Sequence, residues 1–157
     1  MRVGFGYDSH RLVEGRDLVL CGVRIPFPLG LEGWSDADVA IHALIDALCG
    51  AASIGDIGTL FPPDDPAYRG ISSTVMLEQV VAKLSSQHIG IGNVDITIVI
   101  EEPRLSPHSN SMRSSLASAI GIPVERVSVK AKTNDGMGFI GRAEGAAAFA
   151  VVTLSDG

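Results

Sequence analysis

Asp38-Val39-Ala40-Ile41-His42-Ala43-Leu44-Ile45-Asp46-Ala47-Leu48-Cys49-Gly50-Ala51-Ala52 is the stretch on which the fold turns. Apart from Asp38, His42 and Asp46, every residue in it is apolar or glycine. A helix that is apolar nearly all round is buried nearly all round. The segment therefore predicts a helix over 38–52 enclosed by other elements. Its three polar residues recur every fourth position, which places them in one stripe. Polar groups taken out of water need partners, because desolvating them unpaired is costly. Ser35-x-x-Asp38 has the form of a capping box, which accounts for Asp38. It does not account for His42. A face covered by solvent and a built site both remain open readings of the stripe.

The flanking sequence predicts the other layer. Arg2–Tyr7 and Leu18–Ile25 read as strands, the second closed by Pro26 and Pro28. After the helix come a glycine loop, Gly55-Asp56-Ile57-Gly58, and a proline loop, Pro62-Pro63-Asp64-Asp65-Pro66. Ser73–Ser86 carries an amphipathic helical stripe, and Pro107–Ile120 a further helix. Asn93–Glu101, Arg126–Thr133 and Gly145–Leu154 read as strands. The order β-β-α-α-β-α-β-β predicts an α+β sandwich: a mixed sheet with helices on one face.

Composition narrows the class. A chain of 157 residues predicts a single domain spanning 1–157. Its formal net charge of −6 comes with no run of Lys or Arg, which argues against nucleic acid. Hydrophobic residues are 46 % before 18 glycines are counted, which points to apolar surface buried between subunits. Cys21 and Cys49 lie far apart and read as reduced, buried thiols. No secretory signal pattern or membrane-length apolar run is visible, so a cytoplasmic setting without membrane partners is expected.

Two further segments hold chemistry-bearing residues. In Gly6-Tyr7-Asp8-Ser9-His10 the carboxylate and imidazole are two apart, so in an extended segment they project to one side. With His42 they make three N/O ligands, the composition of an open zinc site. The spacing alone also fits a chance Asp-x-His and a hydrogen-bonded core histidine. Lys130-Ala131-Lys132-Thr133-Asn134-Asp135-Gly136-Met137-Gly138 combines lysines, a hydroxyl and glycines, the parts a phosphate site uses, without the P-loop spacing. An ordinary strand-to-strand turn is the alternative.

Taken together, these segments resemble one family. The matching stretches are Gly6-x-Asp8-x-His10, Ser35-Asp36-Ala37-Asp38-Val39, His42-Ala43-x-x-Asp46-Ala47-Leu48, and Gly55-Asp56-Ile57-Gly58 with Phe61-Pro62. Pro103-x-x-x-Pro107-His108, Lys130-Ala131-Lys132-Thr133 and Gly141-Arg142-x-Glu144-Gly145 complete the set. They are similar to the 2-C-methyl-D-erythritol 2,4-cyclodiphosphate synthases of non-mevalonate isoprenoid biosynthesis, along the whole chain.

The resemblance implies a lyase that converts 4-diphosphocytidyl-2-C-methyl-D-erythritol 2-phosphate to the cyclic diphosphate and CMP. It implies that Asp8, His10 and His42 hold one zinc-type divalent cation per subunit, and that Asp135 helps hold a second, magnesium or manganese, with the substrate. Ser35 and Thr133 would contact phosphates, and Asp56 the erythritol hydroxyls. The Glu101–Ser106 stretch, with Pro103, Arg104 and Leu105, and Ala131–Thr133 would form the cytidine pocket, and Ile100 is an implied substrate contact. Ile57, Gly58, Phe61, Asp65 and Asn134 are implied substrate contacts, and Thr133, Lys132 and position 34 are implied catalytic positions. The assembly would be a homotrimer with shared sites, Phe139 and Arg142 lining a central cavity.

The sequence departs from the family pattern at named places. Trp34 stands where the family has histidine, which predicts slower turnover unless the indole N–H reaches the same phosphate oxygen. A Trp packed against a neighbouring loop is the other reading. Pro63 stands where the family has aspartate, and Asp135 where it has glutamate. Two rival functions use the same residues: a metal-dependent phosphohydrolase, and a ligand-binding paralogue without turnover.

Overall fold

The structure, a computed structural model, describes residues 1–156. Strand β1 (Arg2–Val13) leads to a hairpin of β2 (Leu18–Leu20) and β3 (Val23–Ile25), then to short β4 (Gly30–Leu31). Helix α1 (Val39–Ala52), the one-turn α2 (Ile57–Leu60) and α3 (Ser73–Ser86) follow. The chain ends with β5 (Ile89–Val99), α4 (Ser109–Ile120), β6 (Val127–Lys132), the one-turn α5 (Gly138–Gly141) and β7 (Gly145–Asp156). The five-stranded sheet runs β4-β1-β7-β5-β6. Only β5–β6 is parallel, so the sheet is mixed as expected.

Alternation along β1 sorts its residues onto two faces. Gly4, Gly6 and Leu12 are buried and Asp8 and His10 half-buried on one side. Val3, Phe5 and Tyr7 are exposed on the other. α1 lies on the first face, across β1 and β7, and is buried along nearly its full length. Glycine is what allows this approach. A Cβ on Gly6 would stand 1.9 Å from the carbonyl oxygen of Ala43, and one on Gly4 the same distance from that of Ala47. On β7, Ala146, Ala148, Ala150 and Val152 are fully buried.

Several boundaries differ from those the sequence predicts. Asp8 and His10 do not follow the first strand; they lie inside β1, which continues to Val13 because β7 pairs with it as far as Arg11. Leu18–Ile25 is a hairpin, not one strand. Cys21 and Gly22 turn it with φ of 53° and 74°, the two left-handed residues that a tight hairpin turn requires. The helix expected from Pro107 begins at Ser109 after a 3₁₀ turn over Ser106–His108.

Asp38 is itself the cap of α1, accepting from the Ile41 N–H at 3.1 Å; Ser35 is not. The same carboxylate accepts from the Cys21 and Gly22 amides, which ties the hairpin turn to the helix start. Asp46, at the far end of the stripe, accepts from the Ile57 amide at 2.8 Å and holds α2 in place. Among the described residues, no helix is long and apolar enough to cross a membrane.

Candidate functional site

His42 sits one residue before Ala43, the point where α1 presses on Gly6. The close contact therefore brings its ring over Asp8 and His10 on β1. Asp8 Oδ2 lies 2.8 Å from His10 Nε2 and 3.0 Å from His42 Nδ1, and the two ring nitrogens are 3.1 Å apart. The three ligand atoms lie within 4.8 Å of one another. His10 Nδ1 is 2.7 Å from the Glu32 carbonyl oxygen. A carbonyl only accepts, so Nδ1 carries a hydrogen, and Nε2 is the nitrogen left to take either a proton shared with Asp8 or a cation.

Converging electron-rich atoms need positive charge between them. Burial pulls the His10 pKa down, but the hydrogen bond to Asp8 and its charge outweigh that and leave it raised. Burial pushes Asp8 up, yet the two imidazoles outweigh it and hold the carboxyl well below the usual range. The cluster thus attracts a cation, and a carboxylate with two imidazoles is a donor set that suits a zinc-type ion with one position open. Asp135 is not part of this cluster.

A cavity opens directly above these ligands. Trp34, Ser35, Ile57, Gly58 and Phe61, all expected near substrate, line it. Pro62, Pro63, Tyr68, Ile71 and Met76 complete its wall; Tyr68, Ile71 and Met76 escaped the sequence reading, since nothing in an apolar residue marks it as a cavity lining. Ser35 Oγ lies 3.1 Å from His42 Nε2. The Trp34 indole N–H donates to the Asp65 carbonyl oxygen at 2.9 Å, and the Arg69 guanidinium lies 5.7 Å from the ring centroid. Trp34 thus holds the Pro62–Arg69 loop, with its one donor turned to the backbone. Asp65 caps the short turn at Pro66–Tyr68 through the Ala67 amide. Asp56 caps α2, accepting from the Thr59 amide and hydroxyl at 2.7 Å each.

A second cavity, about 630 Å³, lies at the end of the parallel β5–β6 pair. Ile100, Glu101, Glu102, Pro103, Arg104, Leu105 and Ser106 form one wall, and Ala131, Lys132 and Thr133 the other. The sequence reading brought these residues together; it missed Phe27, which joins them from the β3–β4 connection. Glu101, expected in this pocket, does line it, but its hold on the neighbouring loop was not foreseen. The Glu101 carboxylate accepts from the Asn134 amide at 3.0 Å and the Gly136 amide at 2.9 Å, which fixes the loop carrying Asp135. Asp135 adopts φ of 51°, a left-handed value that short Asx side chains tolerate well. Its amide and carboxylate both approach Thr133 Oγ1, at 3.3 and 3.2 Å. Lys130 is paired with Asp95 at 2.7 Å, so Lys132 is the lysine that faces the cavity. Phe139 borders a third, smaller cavity beside His10, and Arg142 is ion-paired with Glu144 at 2.8 Å.

Residues 1–155 match the YgbB family. The chain belongs to that family. A relative from Dehalococcoides mccartyi, named 2-C-methyl-D-erythritol 2,4-cyclodiphosphate synthase, is 56% identical over 156 residues and covers 99% of each chain. One of the same name from Symbiobacterium thermophilum is 54% identical over 155 residues, again 99% of each. A solved structure of a 2C-methyl-D-erythritol-2,4-cyclodiphosphate synthase in its CDP-bound form superposes with a TM-score of 0.90 at 39% identity, covering 98% of this chain and 100% of that one. The bifunctional IspDF of Campylobacter jejuni gives a TM-score of 0.94 at 38% identity; the match spans 98% of this chain and 42% of that longer one. The YgbB fold is therefore shared over the full length, and both cavities lie on it.

Proposed function

We propose that this chain is a cytoplasmic 2-C-methyl-D-erythritol 2,4-cyclodiphosphate synthase of non-mevalonate isoprenoid biosynthesis. The observation that carries the reading is the convergence of Asp8, His10 and His42 on one point at the floor of a cavity. In the reaction, an oxygen of the substrate's 2-phosphate bonds to the β-phosphorus. The bond from that phosphorus to the α,β-bridging oxygen breaks, and CMP leaves with the oxygen. The attacking group is already an anion, so no side chain has to remove a proton from it. Repulsion between phosphates is the obstacle, and positioning with positive charge overcomes it.

Asp8, His10 and His42 would hold a zinc-type cation and Asp135 would help hold a magnesium or manganese ion, and these would supply positive charge to the phosphates. Ser35 and Thr133 hydroxyls donate to phosphate oxygens, and Lys132 adds a fixed cation. Asp56 orients the erythritol hydroxyls. Phe27 and the Ile100–Ser106 wall enclose the cytidine. With its donor on Asp65, Trp34 contributes no positive charge here, which leaves Lys132 as the cation that this chain itself supplies.

The test is product analysis. Purified protein supplied with zinc, magnesium and the substrate is expected to yield cyclic diphosphate and CMP in equal amounts by phosphorus NMR. A linear phosphate would make it a phosphohydrolase. CDP binding without turnover would make it a binding paralogue.

The two cavities have no lining residue in common. Asp8 pairs with Ala148, Ala148 with Ile98, and Ile98 with Ala131. That row of three strand steps separates the two sites by about 14 Å within one chain. The outer sheet face meanwhile carries Phe5, Tyr7 and Phe149 in the open, with Phe149 5.1 Å from Tyr7 and 6.2 Å from Phe5. A continuous apolar face of this kind favours association. A homotrimer packed through it would let one subunit's cytidine cavity complete a neighbour's metal cavity, with Phe139 and Arg142 at the centre. Sedimentation equilibrium is expected to give about three times the 16.4 kDa chain mass. Phe149→Glu is expected to shift it toward monomer, and a monomeric wild type would overturn the shared site.

A further inference from the structure

Ser73, the first residue of α3, is fully buried although it is polar, and it belongs to no part of the site described so far. Both of its polar groups point at Asp36. The Ser73 amide donates to Asp36 Oδ2 at 3.0 Å, and its hydroxyl donates to Asp36 Oδ1. A serine hydroxyl has one hydrogen. With that hydrogen on a carboxylate, only lone pairs remain on Oγ, and they face His42 Nε2 at 2.9 Å. Nε2 must then carry the ring hydrogen. Its partner Nδ1, facing Asp8 and His10, is left with a lone pair. Ser35 Oγ, 3.1 Å from the same Nε2 and accepting from the Ala37 amide, adds a second acceptor.

We propose that Asp36 and Ser73 are positioning residues that fix the tautomer and orientation of His42, acting as one carboxylate–hydroxyl–imidazole relay behind the metal position. The inference rests on the metal reading of Asp8, His10 and His42. Metal-ligating histidines are commonly oriented by a partner on the other ring nitrogen, and losing such a partner typically costs about 10–100-fold in metal affinity. Here the carboxylate acts through an intervening hydroxyl. Because the hydroxyl is on the first residue of α3, the relay also joins the start of that helix to the site.

Two measurements test it. In metal-free wild type at about pH 8, above the ordinary imidazole range, nitrogen-15 NMR is expected to show His42 as the Nε2–H tautomer. Zinc affinity, by competition with a chelator, is expected to fall about 10–100-fold in Ser73→Ala, with melting temperature recorded alongside. An Nδ1–H tautomer in the wild type overturns the relay, and needs no variant to fold. Ser73→Ala with wild-type zinc affinity overturns it too. Should wild type itself bind no zinc, the metal reading falls while the His42 tautomer still decides whether Asp36 and Ser73 orient the ring, which separates the two failures.

Discussion

Replacing His42 with alanine is expected to empty the metal position and to lower CMP release about 10³-fold or more. A bound cation stabilises developing charge by several kcal/mol, and each 1.36 kcal/mol is tenfold in rate, so roughly 4 kcal/mol gives this factor. The helix should survive, since alanine is the best helix former and the position is buried among apolar neighbours. Wild type should carry about one zinc-type ion per chain by elemental analysis, and His42→Ala close to none. Asp46→Ala is the matched control: it lies one turn further on the same stripe but bonds the Ile57 amide. It should lower stability while keeping the metal. Protons should compete with the ion. Asp8 raises the His10 pKa above its ordinary 6.5, and only neutral imidazole ligates, so occupancy should begin to fall at a pH above that value. One zinc per chain persisting in His42→Ala would remove the assignment.

The parts of the molecule legible in sequence are those where one residue type has one physical use. The apolar run of α1 had to be buried, which follows from solvation alone, whereas its polar stripe left a solvent-covered face and a built site both open until Asp8 and His10 were found against His42. The Ile100–Ser106 and Ala131–Thr133 walls were legible through family resemblance, not through their chemistry. What stayed hidden depends on direction or on distant contacts. Ser73 at a helix start reads as an ordinary cap, and only the position of Asp36, 37 residues earlier, reveals otherwise. Trp34 could be named as the departure from the family, but its sequence position does not say that its N–H turns to Asp65. Cys21 in a left-handed turn has no local preference that would announce it; the Asp38 carboxylate receiving its amide holds it there. The one-turn helices at Ile57 and Gly138 are too short to show a period.

The second large effect concerns a residue with no side chain. Gly6→Ala is expected to destabilise the fold by roughly 3 kcal/mol or more, at the upper end of overpacking costs. The added Cβ would meet the Ala43 carbonyl oxygen at 1.9 Å and the Ala47 amide nitrogen at 2.8 Å. Both are backbone atoms of α1, so no rotamer change relieves the contact and the whole helix must lift from β1. For a domain of this length that corresponds to a melting temperature lower by about 6–12 °C. The lift also has a functional reading. His42 is carried by the helix, whereas Asp8 and His10 are carried by the strand, so separating the two opens the ligand triangle. Zinc affinity should fall together with stability, although Gly6 touches none of the three ligands' donor atoms. Gly50→Ala in the same helix is the contrast. A Cβ there meets nothing within 4 Å, and it should be neutral or stabilising by about 0.5–1 kcal/mol. If Gly6→Ala melted and bound zinc as wild type does, the close seating of α1 on β1 could not be what assembles the site.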